Sequence, residues 1–171
     1  GTEEGVSRFD PKSKKFESIA SGANGLSGGR VCSIRGGRDG TIWLRTRDGL
    51  TRFDGKLFTK VQGVPAIDQS SIQAWTGALA IDAGGAVWTV TQNDGLWRIS
   101  GTNVQPFLPT DGLITTFQDA LSISGKEIWF FESDRAQRRG LTRFDGEKFE
   151  SIDSDQLDER SDVTAILCQT N

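Results

Sequence analysis

The stretch that decides the fold lies between residues 25 and 58. It reads Gly25-Leu26-Ser27-Gly28-Gly29-Arg30-Val31-Cys32-Ser33-Ile34, then Asp39-Gly40-Thr41-Ile42-Trp43, then Gly49-Leu50-Thr51-Arg52-Phe53-Asp54-Gly55-Lys56-Leu57-Phe58. Its parts return along the chain. The run at 49–54 reappears as Gly5-Val6-Ser7-Arg8-Phe9-Asp10, Gly95-Leu96-Trp97-Arg98-Ile99-Ser100 and Gly140-Leu141-Thr142-Arg143-Phe144-Asp145, at spacings of 44, 46 and 45 residues. Thr41-Ile42-Trp43 is echoed by Ala86-Val87-Trp88 and Glu127-Ile128-Trp129, and Val31-Cys32-Ser33-Ile34 by Ala78-Leu79-Ala80-Ile81, Ala120-Leu121-Ser122-Ile123 and Val163-Thr164-Ala165-Ile166. A last element follows each Arg-bearing run, as in Lys15-Phe16-Glu17-Ser18-Ile19 and Lys148-Phe149-Glu150-Ser151-Ile152.

Each unit of about 45 residues therefore holds four short runs rich in β-branched and aromatic side chains. Asp-Gly or Gly-Gly pairs at 39–40, 54–55, 84–85 and 145–146 separate them, as hairpin turns require. Four antiparallel strands per repeat describe the blade of a β-propeller, so the chain reads as an all-β propeller fragment with essentially no helix. Residues 1–171 form a single propeller region. Residues 1–30 supply the outer half of a blade plus a connection, 31–61, 78–108 and 120–152 are complete blades, and 163–171 is the first strand of another. Gly1-Thr2 aligns with Arg45-Thr46, just after a tryptophan strand, so the chain reads as part of a longer protein; closing on itself would leave one blade without that strand. The small third residue of the first run, Ser33, Ala80, Ser122 or Ala165, suits a crowded position, and the tryptophans and phenylalanines suit the wider gaps between blades.

Composition narrows the chemistry. The 171 residues suffice for about one domain. Twenty Lys and Arg against 23 Asp and Glu leave a net charge of −3, without the basic excess that nucleic acid demands. There is no His and no Tyr, which removes His-based acid–base catalysis, His-containing metal sites and tyrosine nucleophiles. Cys32 and Cys168 lack CxxC spacing and read as small buried residues. The Asp-Gly pairs read as turn formers, and neither a metal nor another cofactor is expected. The apolar stretch Ile128-Trp129-Phe130-Phe131 is far shorter than a membrane span, so no membrane contact by this segment is expected.

Residues 25–60 resemble the two-component regulator propeller repeat, whose unit reads approximately GLSxxxVxxIxxDxxGxIWxGTxxGLxRFDGxxF. Such repeats typically form seven-bladed propellers, often two in tandem, in the extracytoplasmic part of bacterial sensor kinases and hybrid two-component regulators. The resemblance implies a periplasmic sensing module of a membrane-anchored receptor. The chain departs from the pattern where Arg45, Val90 and Phe131 replace the glycine after Trp-x.

Repetition within the chain separates scaffold from site. A residue present in every copy serves a need every blade shares, so Arg8, Arg52, Arg98 and Arg143 are read as structural, each pairing with a carboxylate or neighbouring backbone. Residues found in one copy only are the candidates for binding: Arg47, Trp75, Gln92, Asn93, Arg135 and Arg138. They lie in or beside loops expected to open on one side. The separation from Trp to the following Gly is 6, 7 and 11 residues in successive blades, so the last carries a charged insertion, Glu132–Arg139. The long loop Gln62–Gly77 holds Trp75, and Arg45 and Arg47 flank the shortest loop. A flat indole with arginines and amides suits a sugar ring or an acidic oligosaccharide. The competing reading makes Trp75 a plug between blades and the arginines a solvated loop.

The expected function is a non-catalytic ligand-sensing or interaction module, with a carbohydrate or other small extracellular molecule and the remaining blades of a parent propeller as partners. The alternatives are part of a propeller lyase or glycosidase with its catalytic residues in other blades, and a structural scaffold for protein contacts.

Overall fold

The computed structural model describes residues 1–67, 78–91, 95–114, 118–133 and 139–152. These form strands β1 (Gly5–Asp10), β2 (Lys15–Ala20), β3 (Val31–Gly36), β4 (Ile42–Thr46), β5 (Gly49–Phe53), β6 (Phe58–Val61) and β7 (Leu79–Ile81). They continue with β8 (Val87–Thr91), β9 (Gly95–Ser100), β10 (Asn103–Phe107), β11 (Gln118–Ser124), β12 (Glu127–Ser133), β13 (Arg139–Phe144) and β14 (Phe149–Ile152). Strands β1 and β2 form a two-stranded sheet; β3 to β6, β7 to β10 and β11 to β14 form three four-stranded sheets in which sequence neighbours pair antiparallel. The chain is all-β and built from the up-and-down blades of a β-propeller fragment. The one helical element among the described residues is a single 3-10 turn, Pro109–Asp111, where the Asp111 carboxylate accepts the Leu108 amide at 2.7 Å.

Turn chemistry holds the hairpins. Asp54 Oδ1 accepts the backbone N–H of Lys56 and Leu57 at 2.9 and 2.8 Å, and Asp145 Oδ1 accepts those of Glu147 and Lys148 at 2.9 and 3.0 Å. These Asx turns carry the chain from the third strand of a blade to the fourth. At the start of a third strand, Gly95 has φ 81° and a Cβ there would strike the Phe107 carbonyl oxygen, so only glycine fits.

The chain divides into two compact units, Gly1–Gly77 and Ala78–Asn171. In the first, sheet β1-β2 packs on one face of sheet β3–β6. Leu26, Val31, Leu44 and Phe58 are buried between them, with Val6, Ile19, Ile34 and Phe53 packed alongside. Period-2 alternation explains the partition: Ile34 lies opposite Leu44 on this face, and Trp43, Arg45 and Leu50 point to the other.

In the second unit the tryptophan face of sheet β7–β10 packs on the Ile/Phe face of sheet β11–β14. Trp88, Val90, Leu96, Leu113, Ile128, Phe130 and Phe144 form one buried cluster. Trp88 stacks on Phe107 at 5.7 Å and 12°, and meets Phe144 tilted at 5.5 Å. Ala80 lies directly opposite Trp88, and Ser122 opposite Trp129, so the small third residue leaves room for the ring across the strand. Sheet β3–β6 differs: Arg35 faces Trp43 and Ser33 faces Arg45. Its Ile34 stands nine residues before the tryptophan, against six from Ile123 to Trp129, and the extra residues shift the pairing.

Trp88→Ala, at 1% exposure, is expected to destabilise the second unit by about 3–5 kcal/mol. Phe16→Ala, at 73% exposure on β2, should cost less than about 1 kcal/mol. Urea denaturation of the two variants checks the ranking.

Candidate functional site

The loop end of the first unit is built around the β4–β5 turn, residues 47–48. Thr46 Oγ1 donates to the Gly49 carbonyl at 3.2 Å and closes the turn, as Thr91 Oγ1 does to Gly95 at 3.3 Å in the second unit. Arg47 then ties two connections to the turn. Its N–H donates to the Arg30 carbonyl at 2.9 Å, and its carbonyl accepts the Ile67 N–H at 2.7 Å. Nearby, Ser21 Oγ donates to the Gly29 carbonyl at 2.5 Å, and buried Thr51 and Ser27 share a hydroxyl hydrogen bond of 2.8 Å. These bonds tie the connections to the turn, and the Arg47 side chain is exposed there.

Of the residues singled out from sequence, Arg47 is placed there. Gln92 and Asn93 fall in the connection between β8 and β9, Arg135 and Arg138 in that between β12 and β13, and Trp75 between β6 and β7. All five lie outside the described residues. Two expectations need correction. Arg45 does not present itself at the loop. It is fully buried, with Nη2 donating to the Pro65 carbonyl at 2.9 Å, because alternation along β4 turns it onto the Trp43 face. The charged insertion is also shorter than Glu132–Arg139, since Glu132 pairs with Gly140 and Ser133 with Arg139 across β12 and β13.

The repeated arginines are scaffold. Arg8 pairs with Glu17 at 2.7 Å, Arg143 with Glu127 and Glu150 at 3.3 and 3.1 Å, and the Arg98 guanidinium lies 5.6 Å from the Trp88 ring centroid. Each of Arg52, Arg98 and Arg143 stands directly opposite a tryptophan, at Trp43, Trp88 and Trp129. The indole N–H groups have acceptors too: Trp88 Nε1 donates to Asp82 at 2.9 Å and Trp129 Nε1 to Glu127 at 3.1 Å. Sequence reading missed these two carboxylates, since they stand six and two residues before their tryptophans.

The acids are tuned for structure. Hydrogen bonds from Thr41 hold Asp39 below the usual carboxylate range, the Leu57 and Lys56 amides do so for Asp54, and the Lys148 and Glu147 amides for Asp145. The Ser13 hydroxyl and the Lys12 amide lower Asp10 likewise. A general acid needs the opposite shift. Burial pushes the Cys32 thiol up despite Arg45, Arg30 and Arg47 nearby, which keeps it protonated and a poor nucleophile. Among the described residues no group of three Cys, Asp or Glu side chains gathers where a metal ion could be held. No described helix is long and apolar enough to cross a membrane.

No family model and no curated protein matches the sequence. Solved structures do. The extracellular domain of a protein described as a one-component system of B. thetaiotaomicron superposes on 99% of the chain with a TM-score of 0.72 at 18% identity. That of a hybrid two-component system from the same organism covers 77% of the chain with a TM-score of 0.59 at 25% identity. The chain shares its fold with extracellular domains of bacterial two-component systems. It spans 25% of the first and 19% of the second of these structures. A streptogramin B lyase also has the fold, covering 87% of the chain with a TM-score of 0.60 at 14% identity, and the chain spans 47% of it.

The lowered aspartate values set an acid dependence. Unfolded aspartates titrate near about 3.9, so the folded chain binds these protons less readily. The resulting stability is complete above about pH 5 and is lost as pH falls through the lower folded values. Asp54→Asn and Asp145→Asn should flatten the decline of Tm between about pH 5 and 3 while keeping the turns. Thermal melts across that range provide the check.

Proposed function

We propose that the chain is a non-catalytic, ligand-sensing propeller module of an extracytoplasmic bacterial receptor of the two-component type. The observation that carries this reading is the fold shared along 99% of the chain with the extracellular domain of a signalling protein, the class to which the repeat at residues 25–60 is similar. The chemistry agrees with it. Asp10, Asp39, Asp54 and Asp145 are committed to turns, Asp82 and Glu127 to indoles, and Glu17 and Glu150 to arginines.

The ligand in this reading is a carbohydrate, held by Arg47, Trp75, Gln92, Asn93, Arg135 and Arg138 through ring stacking and charge-assisted hydrogen bonds on the loop face. The lyase with the same fold supports a second reading, in which other blades complete an active site. Calorimetric titration of the whole chain with neutral and acidic oligosaccharides separates the two. Binding without turnover, weakened about 10-fold or more by Trp75→Ala or Arg135→Ala at unchanged Tm, is the expected result. A lower Tm with affinity retained returns these residues to the scaffold, and bond cleavage in the sugar overturns the sensing reading.

A further inference from the structure

The two four-stranded sheets of the second unit leave between them a cleft of about 440 Å³, a size that small ligands occupy. Phe107 and Phe149, edge to face at 5.3 Å, give it an apolar wall, and Arg98, Lys126, Asp111 and Glu147 bring charge of both signs to it. The hairpins that border it, β7–β8, β11–β12 and β13–β14, stand at the opposite strand ends from the β8–β9 and β12–β13 connections. It is therefore separate from the loop face that Arg47 marks.

Arg98 differs from its counterparts in what surrounds its guanidinium. Arg143 is clamped by two carboxylates: Glu150, directly opposite on β14, and Glu127, two residues before Trp129. Arg8 pairs with Glu17, directly opposite on β2. In sheet β7–β10 the same two positions hold Gln105, directly opposite Arg98, and Ala86, two residues before Trp88. Arg52 has Thr59 and Thr41 at these positions, but Asp39 and Asp54 stand near enough for its charge to lower their pKa. Arg98 lies over Trp88, and among the described residues no group accepts its N–H donors or pairs with its charge. Asp82 also lines the cleft, but its two oxygens accept the Trp88 indole N–H and the Ala86 amide, both at 2.9 Å.

Elsewhere in the repeat this arginine is given a carboxylate, so a carboxylate is what the cleft asks of a ligand. A simple anion would meet three acids, Asp82, Asp111 and Glu147, against two cations, Arg98 and Lys126. A ligand with an ammonium group beside its carboxylate satisfies both signs, and a ring on it packs against the phenylalanines. We propose that the cleft is a binding site for a free aromatic α-amino acid. Arg98 holds its carboxylate, the acids that line the cleft hold its ammonium group, and Phe107 and Phe149 receive its ring.

Calorimetric titration of the full chain with phenylalanine tests this, beside hydrocinnamate, which lacks the ammonium group, and phenethylamine, which lacks the carboxylate. Phenylalanine is expected to bind saturably, and each truncated compound at least about 10-fold more weakly. Gln105→Glu gives Arg98 the partner that Glu150 gives Arg143. It should weaken phenylalanine binding at least about 10-fold, with Tm no lower than that of the parent chain. The absence of saturable phenylalanine binding overturns the proposal, as does equal affinity for either truncated compound. So does a Gln105→Glu chain that binds phenylalanine as well as the parent, or one that melts lower, since Arg98 would then not be waiting for a carboxylate.

Discussion

The second unit depends on how one indole is held. Trp88 is nearly solvent-free, and every strand of its sheet contributes to its setting. Ala80 on β7 leaves the space, Arg98 on β9 lies over the ring, Phe107 on β10 stacks on it, and Asp82 in the first hairpin accepts its N–H. The neighbouring sheet supplies Phe144 and Phe149 beyond. A four-stranded sheet has two faces and cannot cover either by itself, so large rings lent across the gap are what make a stack of blades cohere.

The polar partners of the indoles follow from the same need. An indole N–H removed from water must find an acceptor, and an arginine set beside it must find a carboxylate or a π face. Glu127 meets both demands in sheet β11–β14, accepting from Trp129 and pairing with Arg143. Asp82 accepts from the indole in sheet β7–β10, while Arg98 rests on the ring. The two solutions use different sequence positions because the first hairpin differs in length. What recurs is the requirement, and the residue that meets it moves.

The loop end obeys another rule. Thr46 closes its turn with a hydroxyl bond to the Gly49 carbonyl, and Thr91 makes the same kind of bond to the Gly95 carbonyl. The Arg47 backbone is further tied to Arg30 and Ile67, which frees its side chain to point outward. Such a division, structural atoms in the main chain and variable atoms in the side chain, suits a surface whose chemistry differs from blade to blade.

The sequence by itself determined the blade. Its 45-residue beat, the Asp-Gly turns and the alternation of apolar residues specify four antiparallel strands, because hairpin chemistry and the two-residue period are local properties. The repeated arginines were legible as scaffold for a similar reason, since a need common to all blades leaves the same residue in each. Pairing register was less legible: the longer run from Ile34 to Trp43 puts Arg35 rather than a small residue opposite that tryptophan, and counting along the chain does not say which strand absorbs the added residues. Only tertiary structure decided that Arg45 is buried beneath the loop rather than displayed on it, that Asp82 and Glu127 receive the indole protons, and that Ile42 borders a pocket while Ile128 is sealed. Each depends on a partner brought close by packing, and the burial of a side chain is set by what covers it.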